Sequence, residues 1–292
     1  MRVRAVPQER LGERSREDWV DQTRRPYAEE GVAWVPVREG FPFEREIPER
    51  ALYRGRGFFM LGDIAVVHSI RPSPAEVEEI VRLRRPRGVL WIEALRNITR
   101  TPETEVLWGE VSETLHRENG YEFLLDPRVV MFSQGNLPEK RRMAELVRAG
   151  GKRERVADMF AGIGYFSIPM AASGADVHAM EINSASYRYL EENTRRNNLA
   201  GRITPACGDC RTLLSGVYDR ILMGHFAAFE ALPQALAHSR RGTVLHVHSI
   251  GPAEGVIRTI VEGAGFSATI GVHNVKKYRP HTWHVVQDVT LS

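Results

Sequence analysis

The stretch Asp158-Met159-Phe160-Ala161-Gly162-Ile163-Gly164 decides how this 292-residue chain is read. An apolar run over residues 156–160 leads into it, small residues follow, and from Tyr165 the apolar positions take helical spacing. A strand, a small-residue turn and a helix make the first half of a strand–helix–strand unit. Outward from it, apolar runs at 176–180, 203–207, 220–223 and 243–247 alternate with helical stretches at 165–172, 185–197, 227–237 and 253–263. Residues 266–273 and 283–290 add two final strands, a hairpin joined by 274–282. The pattern predicts an α/β fold: a mostly parallel, seven-stranded Rossmann-like sheet with helices on both faces.

Upstream the rhythm differs. Within residues 46–145, a β-branched run at 62–68 precedes a helix at 74–84, which opens on Pro74 with Glu76, Glu78 and Glu79 following and stops at Pro86. Strand candidates at 88–94, 114–118, 121–125 and 129–133 complete a small α+β domain. Residues 1–45 mix charges of both signs, and Pro7, Pro26, Pro36 and Pro42 interrupt any period. They read as an N-terminal extension, partly helical around 13–21, leaving 146–292 as the main domain.

Composition narrows the function classes. A 42% hydrophobic content supports a packed core. No apolar run approaches the roughly 18–20 residues that span a bilayer, and the first residues lack a secretory signal, so a soluble, cytoplasmic protein is expected. Cys207 and Cys210 are the only cysteines and form no disulfide scaffold. The net charge is +3, and lysine supplies only four of the forty basic residues. Arginine makes planar, two-pronged phosphate contacts, and the local excess over 51–100, with Arg82, Arg84, Arg85 and Arg87, points toward RNA. The segment Lys276-Lys277-Tyr278-Arg279-Pro280-His281 reads as a basic, aromatic loop between the last strands. His246 and His248 share a strand face without a nearby acid pattern, which favours packing or RNA contact, and no metal is expected.

In an open parallel sheet, ligands bind beyond the carboxyl ends of the strands. Asp158, Glu181 and Asp209 each follow one of three successive strands. Small residues Ala161, Gly162 and Gly164 let backbone approach a ligand there. A carboxylate at Glu181 suits two ribose hydroxyls, and one at Asp209 suits an adenine amino group, with Cys210 lining the pocket. A dinucleotide would call for G-x-G-x-x-G, whereas the loop reads A-G-I-G-Y-F. S-adenosylmethionine is the cofactor that this pattern favours over nicotinamide.

The run Asp158–Pro169, with Glu181-Ile182-Asn183 and Tyr189-Leu190-Glu191-Glu192-Asn193, resembles enzymes that modify position 37 of tRNA. That family includes guanosine N1-methyltransferases and wybutosine-synthesis aminocarboxypropyl transferases. Gly62–Val66, His116–Gly120 and Met131-Phe132-Ser133-Gln134-Gly135-Asn136 are similar to its middle domain. The methyltransferases carry Asn-Pro-Pro or Asn-Leu-Pro after the fourth strand and Phe-Ser-Pro-Arg upstream. Here Met223-Gly224-His225-Phe226 and Phe-Ser-Gln-Gly-Asn stand in those places, which resembles the archaeal aminocarboxypropyl-transferring branch. The sequence leaves the oligomeric state open, with a monomer as the simplest expectation. The resemblance implies a class I S-adenosylmethionine-dependent fold and a tRNA partner engaged at its anticodon stem-loop. It also implies transfer of the 3-amino-3-carboxypropyl group to 4-demethylwyosine at position 37 of tRNA(Phe), with guanosine-37 N1-methylation and non-enzymatic RNA binding as alternatives. It further implies that Ser133, Lys140, Asp158, Phe160, Ala161, Gly162, Gly164, Glu181, Ile182, Asp209 and Cys210 serve the cofactor. Glu139 is the implied general base, supported by Arg100 or its rival Arg96, while Tyr165 can displace the amino-acid tail from its ordinary position.

Overall fold

The described residues among the first 47 form a small sheet with its own core. A computed structural model describes residues 1–14, 17–24, 26–29, 31–47, 57–226, 228–279 and 281–292, and the chain divides into two units, Met1–Arg54 and Gly55–Ser292. In the first, β1 (Arg2–Pro7), β2 (Tyr27–Glu29), β3 (Val32–Pro36) and β4 (Arg45–Glu46) pair antiparallel in the order β2-β3-β1-β4. The expected helix around 13–21 is replaced by a short α1 (Leu11–Arg14), while Trp19 and Val20 pack with Val6, Ala33 and Val35. Two of the period-breaking prolines, Pro7 and Pro36, are strand ends. The guanidinium of Arg4 lies 4.4 Å over the Trp19 ring, so a charge-rich sequence conceals an apolar face.

The second unit opens with β5 (Phe58–Leu61), β6 (Ile64–His68), α2 (Pro74–Arg84), β7 (Gly88–Arg96) and β8 (Thr101–Gly109), a sheet in that strand order. Helix α2 carries the crossover between parallel β6 and β7, starting from a capping box in which Ser73 and Glu76 satisfy each other's N–H groups. Strand β8 is absent from the sequence reading because it has little apolar face: Glu103 and Glu105 point outward to Arg96 and Arg71. The hairpin of β9 (Thr114–Glu118) and β10 (Tyr121–Leu125) turns on Asn119 and Gly120, both at positive φ. The strand expected at 129–133 does not form. The Val129 and Val130 N–H groups both donate to the Asp126 carbonyl, closing a turn instead.

The remainder follows the predicted alternation through α3 (Leu137–Ala149), β11 (Arg155–Asp158), α4 (Ser167–Ala172), β12 (Asp176–Glu181) and α5 (Ser184–Arg196). It continues through β13 (Ile203–Cys207), α6 (Cys210–Leu213), β14 (Arg220–Met223), α7 (Leu232–Ala237), β15 (Val244–Ile250), α8 (Glu254–Gly263), β16 (Ala268–Arg279) and β17 (Thr282–Leu291). The seven strands order as β13-β12-β11-β14-β15-β17-β16, parallel except for β17. Residues 274–279 continue β16, correcting the loop expected at 274–282, although residue 280 lies outside the described residues. Residue 227 also lies outside them, and the helix expected from it resolves into a 3-10 turn, Ala228–Ala231, followed by α7. The core runs across the expected boundary at 145/146, with Leu90, Phe123 and Met143 in one cluster with Ile163 and Val177. Among the described residues no helix is long and apolar enough to cross a membrane.

Asn193 joins the hairpin to the sheet. Fully buried on α5, it accepts the Leu124 N–H at 2.7 Å and donates to the Leu124 and Ile163 carbonyls, each at 3.1 Å. Asn193→Ala takes the side-chain partner from three backbone groups, two half-buried on Leu124 and one buried on Ile163. It is expected to cost about 3 kcal/mol, read as a lower midpoint in equilibrium urea unfolding.

Candidate active site

The strand order reverses at β11: the chain continues through β12 and β13 on one side and through β14 and β15 on the other. Neighbouring loops diverge at such a point and open a crevice beyond the carboxyl ends of the strands. A cavity of about 590 Å³ occupies it, with walls from the β7–β8 turn, the 131–136 segment, the glycine loop and β16.

Asp158 ends β11 fully buried, accepting from Ser167 Oγ at 2.7 Å and the Phe160 N–H at 3.4 Å. Burial pushes its pKa up to about 6 in spite of these bonds. Gly162 follows at φ +57°, and any side chain there would run into the Tyr165 ring. The Gly162 N–H donates to Glu181 Oε2 at 2.7 Å and the Asn183 N–H to Oε1 at 2.7 Å. Burial raises the Glu181 pKa, and these two N–H groups oppose the rise. A carboxylate offers about four acceptor positions, so Glu181 retains room for two hydroxyls.

Arg100, Ser133, Phe160 and Gly162 line the cavity, as do Glu181, Ile182, Asp209 and Cys210. Asp209 also caps α6 through the Arg211 N–H, and the Arg211 guanidinium grips both its oxygens, holding the carboxyl below its ordinary range. Burial pushes the Cys210 thiol up to about 11, while Cys207 is exposed and both are free. Of the two rival arginines, Arg96 is spent on Glu103 at the surface, whereas Arg100 faces the cavity.

Five expected site residues stand behind the wall. Ala161 and Gly164 shape the turn, and Asp158 anchors its start. Lys140, expected to touch the cofactor, is instead fully buried, with Nζ 2.7 Å from Glu118 Oε1 and 4.7 Å over the Phe132 ring. Burial lowers its pKa, with Glu118 opposing. It also sits 5.3 Å over the Tyr165 ring, whose hydroxyl donates to the Met131 carbonyl. Lys140 therefore backs the aromatic wall. Glu139, expected as a base, is buried on the first turn of α3 with both oxygens held by Arg142, at 2.6 and 2.8 Å. The structure brings Arg100 to the cavity and leaves Glu139 off its lining.

His246 and His248 are fully enclosed strand residues, bonded to Asp288 and His284 respectively. Among the described residues no group of three or more His, Cys, Asp or Glu has metal-holding geometry. Two lining residues have roles that sequence reasoning missed. His225 stacks on Phe160 at 5.3 Å, and Lys276 reaches the cavity from β16. Both lie in segments already singled out, but stacking and strand register carry no local sequence signal.

The TRM5/TYW2 methyltransferase domain family matches residues 114–268. The chain is 34% identical over 245 residues to the tRNA(Phe) (4-demethylwyosine(37)-C(7)) aminocarboxypropyltransferase of Methanocaldococcus jannaschii, covering 80% of this chain and 96% of that one. It is also 34% identical over 252 residues to the tRNA (guanine(37)-N(1))-methyltransferase Trm5b of Pyrococcus abyssi, covering 80% and 74%. Among solved structures, P. horikoshii TYW2 in complex with MeSAdo aligns with a TM-score of 0.70 at 29% identity, covering 81% of this chain and 91% of that one.

The raised pKa of Asp158 makes stability depend on pH. Folding raises its carboxyl from 3.8 to about 6, so the folded state holds the extra proton between those values. The associated stability is fully present below the lower value and is lost as pH rises through the upper one. Asp158→Asn removes that slope. Between about pH 4 and 6, wild type is expected to lose up to about 3 kcal/mol relative to the variant, measured by urea unfolding across the range.

Proposed function

Because the chain belongs to the TRM5/TYW2 family, we propose that it moves the 3-amino-3-carboxypropyl group of S-adenosylmethionine onto 4-demethylwyosine at position 37 of tRNA(Phe). The observation that carries this branch is the segment after β14. Met223-Gly224-His225-Phe226 offers no Asn-Pro-Pro turn to orient a guanine ring nitrogen, and His225 is stacked flat on Phe160. Identity is the same toward both activities, 34% over 80% of this chain, so this segment carries the choice.

The residues fit this donor by their own chemistry. Glu181 has acceptor capacity for a ribose diol, Gly162 exposes backbone at the loop, and Ile182 and Phe160 offer apolar walls for an adenine beside Asp209 and Cys210. The donor supplies a sulfonium: as the acceptor carbon bonds to the tail carbon, the tail's bond to sulfur breaks, the electron pair stays on sulfur, and a proton leaves the acceptor. Everything else is positioning. Tyr165, fixed by Met131 and covering Gly162, fills space over the glycine loop and turns the tail away from it. Ser133 and Arg100 face the space into which the tail is turned. Lys140, Asp158, Ala161 and Gly164 hold this arrangement from behind. The acceptor arrives on the anticodon stem-loop of a cytoplasmic tRNA.

Glu139 acts here through Arg142, since a base role requires that ion pair to open first. Glu139→Gln is expected to keep turnover within a few-fold of wild type with an unchanged pH–rate profile; a loss of about 100-fold or more would restore the carboxylate as base. The transferred group is tested directly with tRNA from cells lacking this modification. Donor labelled in the carboxyl carbon is expected to label the tRNA, and donor labelled in the methyl carbon is not. The reverse pattern would make the protein an N1-methyltransferase.

A further inference from the structure

Gly135 lies in the 3-10 turn after Ser133, and the space beside it is filled from the far end of the chain. A methyl group built on Gly135 would meet Lys276 Nζ at 2.5 Å and Cδ at 2.9 Å, so the lysine stem lies directly against the glycine. Strand β16 delivers it there. The register between β16 and β17 shifts between Asn274 and Lys276, a bulge that re-aims the side chains beyond it.

The ammonium at Lys276 is half-buried on the cavity wall and makes no hydrogen bond or ion pair with any described residue. Arg100 lines the same cavity from the β7–β8 turn, held at φ +51°, an uncommon conformation for a side chain of its size. Its Nε is shielded from solvent and has no hydrogen-bond partner among the described residues. Among the described residues three acids line the cavity, and none pairs with either cation: Glu181 bonds Gly162 and Asn183, Asp209 bonds Arg211, and Glu230 makes no ion pair with Lys276 or Arg100. Burial and the Arg100 charge both work against the Lys276 cation. Two cations facing one cavity, neither paired with an acid among the described residues, are stabilised by an anion that binds between them.

Resting on the transfer reading above, we propose that Lys276 and Arg100 bind the α-carboxylate of the donor's amino-acid tail, with Lys276 the residue that selects a donor carrying that group. The stem of Lys276 needs the space that a glycine at 135 leaves open. The carboxylate then lies beside the 133–136 turn, away from the Tyr165-covered glycine loop, and the tail carbon bonded to sulfur is presented to the cavity.

Calorimetry with the full chain tests this using three ligands: S-adenosylmethionine, its decarboxylated analogue, and methylthioadenosine, which has no tail. Lys276→Met is expected to weaken S-adenosylmethionine about 10-fold or more, while leaving the other two within about two-fold. Lys276→Arg is expected to recover part of the loss, and unchanged thermal midpoints exclude misfolding. Parallel loss of methylthioadenosine would show a collapsed cavity and overturn the assignment. Unchanged donor affinity with weaker, less salt-dependent tRNA binding would overturn it too, making Lys276 a contact to RNA phosphate. The two readings fail separately. Selective donor loss without carboxyl-label transfer by wild type keeps the carboxylate site and sinks the reaction; transfer with an indifferent Lys276→Met does the opposite.

Discussion

The carboxylate of Glu181, shared between the N–H groups of Gly162 and Asn183, is the contact on which the site is built. It ties the end of β12 to the loop that leaves β11, fixing the distance between two strands at the point where their connections diverge. A loop with Gly162 and Gly164 at positive φ has many alternatives when free, and ordering it costs entropy. Asn193 holds the Ile163 carbonyl, and Tyr165 bonds the Met131 carbonyl along the cavity wall. The loop is thus held by three elements outside itself, and a ligand meets backbone already in place.

Beneath this floor runs a buried ionic chain. Glu154 pairs with Arg220 at 2.7 Å, Arg220 meets His246 at 2.6 Å, and His246 meets Asp288 at 2.6 Å. Asp288 then holds Arg142 at 2.5 Å, which holds Glu139 at 2.6 Å. Burial alone pushes Asp288 up, but the hydrogen bonds from His246 and Arg142 outweigh it and keep the carboxyl well below its ordinary range. His246, its own pKa lowered by burial, accepts from Arg220 and donates to Asp288, so each group has a partner of the right polarity. Such chains contribute little net stability over an apolar core, yet removing an inner member leaves a buried charge without its partner, whereas Arg142 keeps Asp288 when the terminal Glu139 loses its charge. What this one adds is registration. It ties the first turn of α3 to β17, and so sets where the 133–136 turn stands against β16.

These two features explain what the sequence made legible. The parallel sheet and the glycine loop announce themselves through local spacing, as do Glu181 and Asp209, because each is a consequence of neighbouring residues. The N-terminal sheet was hidden because its apolar face is shielded by arginines such as Arg4 over Trp19. Strand β8 was hidden because an edge strand needs little apolar surface. The burial of Lys140 was hidden for a related reason. Beside Glu139, Arg141 and Arg142 the lysine reads as a surface charge or a ligand contact, and only Glu118, twenty-two residues away in sequence, makes its burial tolerable. The Glu139 ion pair was hidden because Arg142 is itself committed through Asp288, which lies 146 residues further on in sequence.

The division of labour follows from chemistry as well as topology. Holding a nucleoside asks only for hydroxyl acceptors and an apolar slot, which β11, β12 and β13 supply at their own ends. Choosing among the three arms of a sulfonium asks for a wall that blocks one direction and a countercharge that rewards another. On the proposed reading those parts are the 131–136 turn, Tyr165, the 223–226 segment and β16, pieces of chain distant in sequence that line one cavity. They touch one another directly: Tyr165 bonds Met131, Lys276 covers Gly135, and Phe226 packs edge-on against His284 at 5.0 Å and Tyr278 at 5.6 Å. A change in one alters the room available to the next. A switch between methyl and tail transfer on this scaffold therefore has to move several of these contacts together, while the nucleoside end stays as it is.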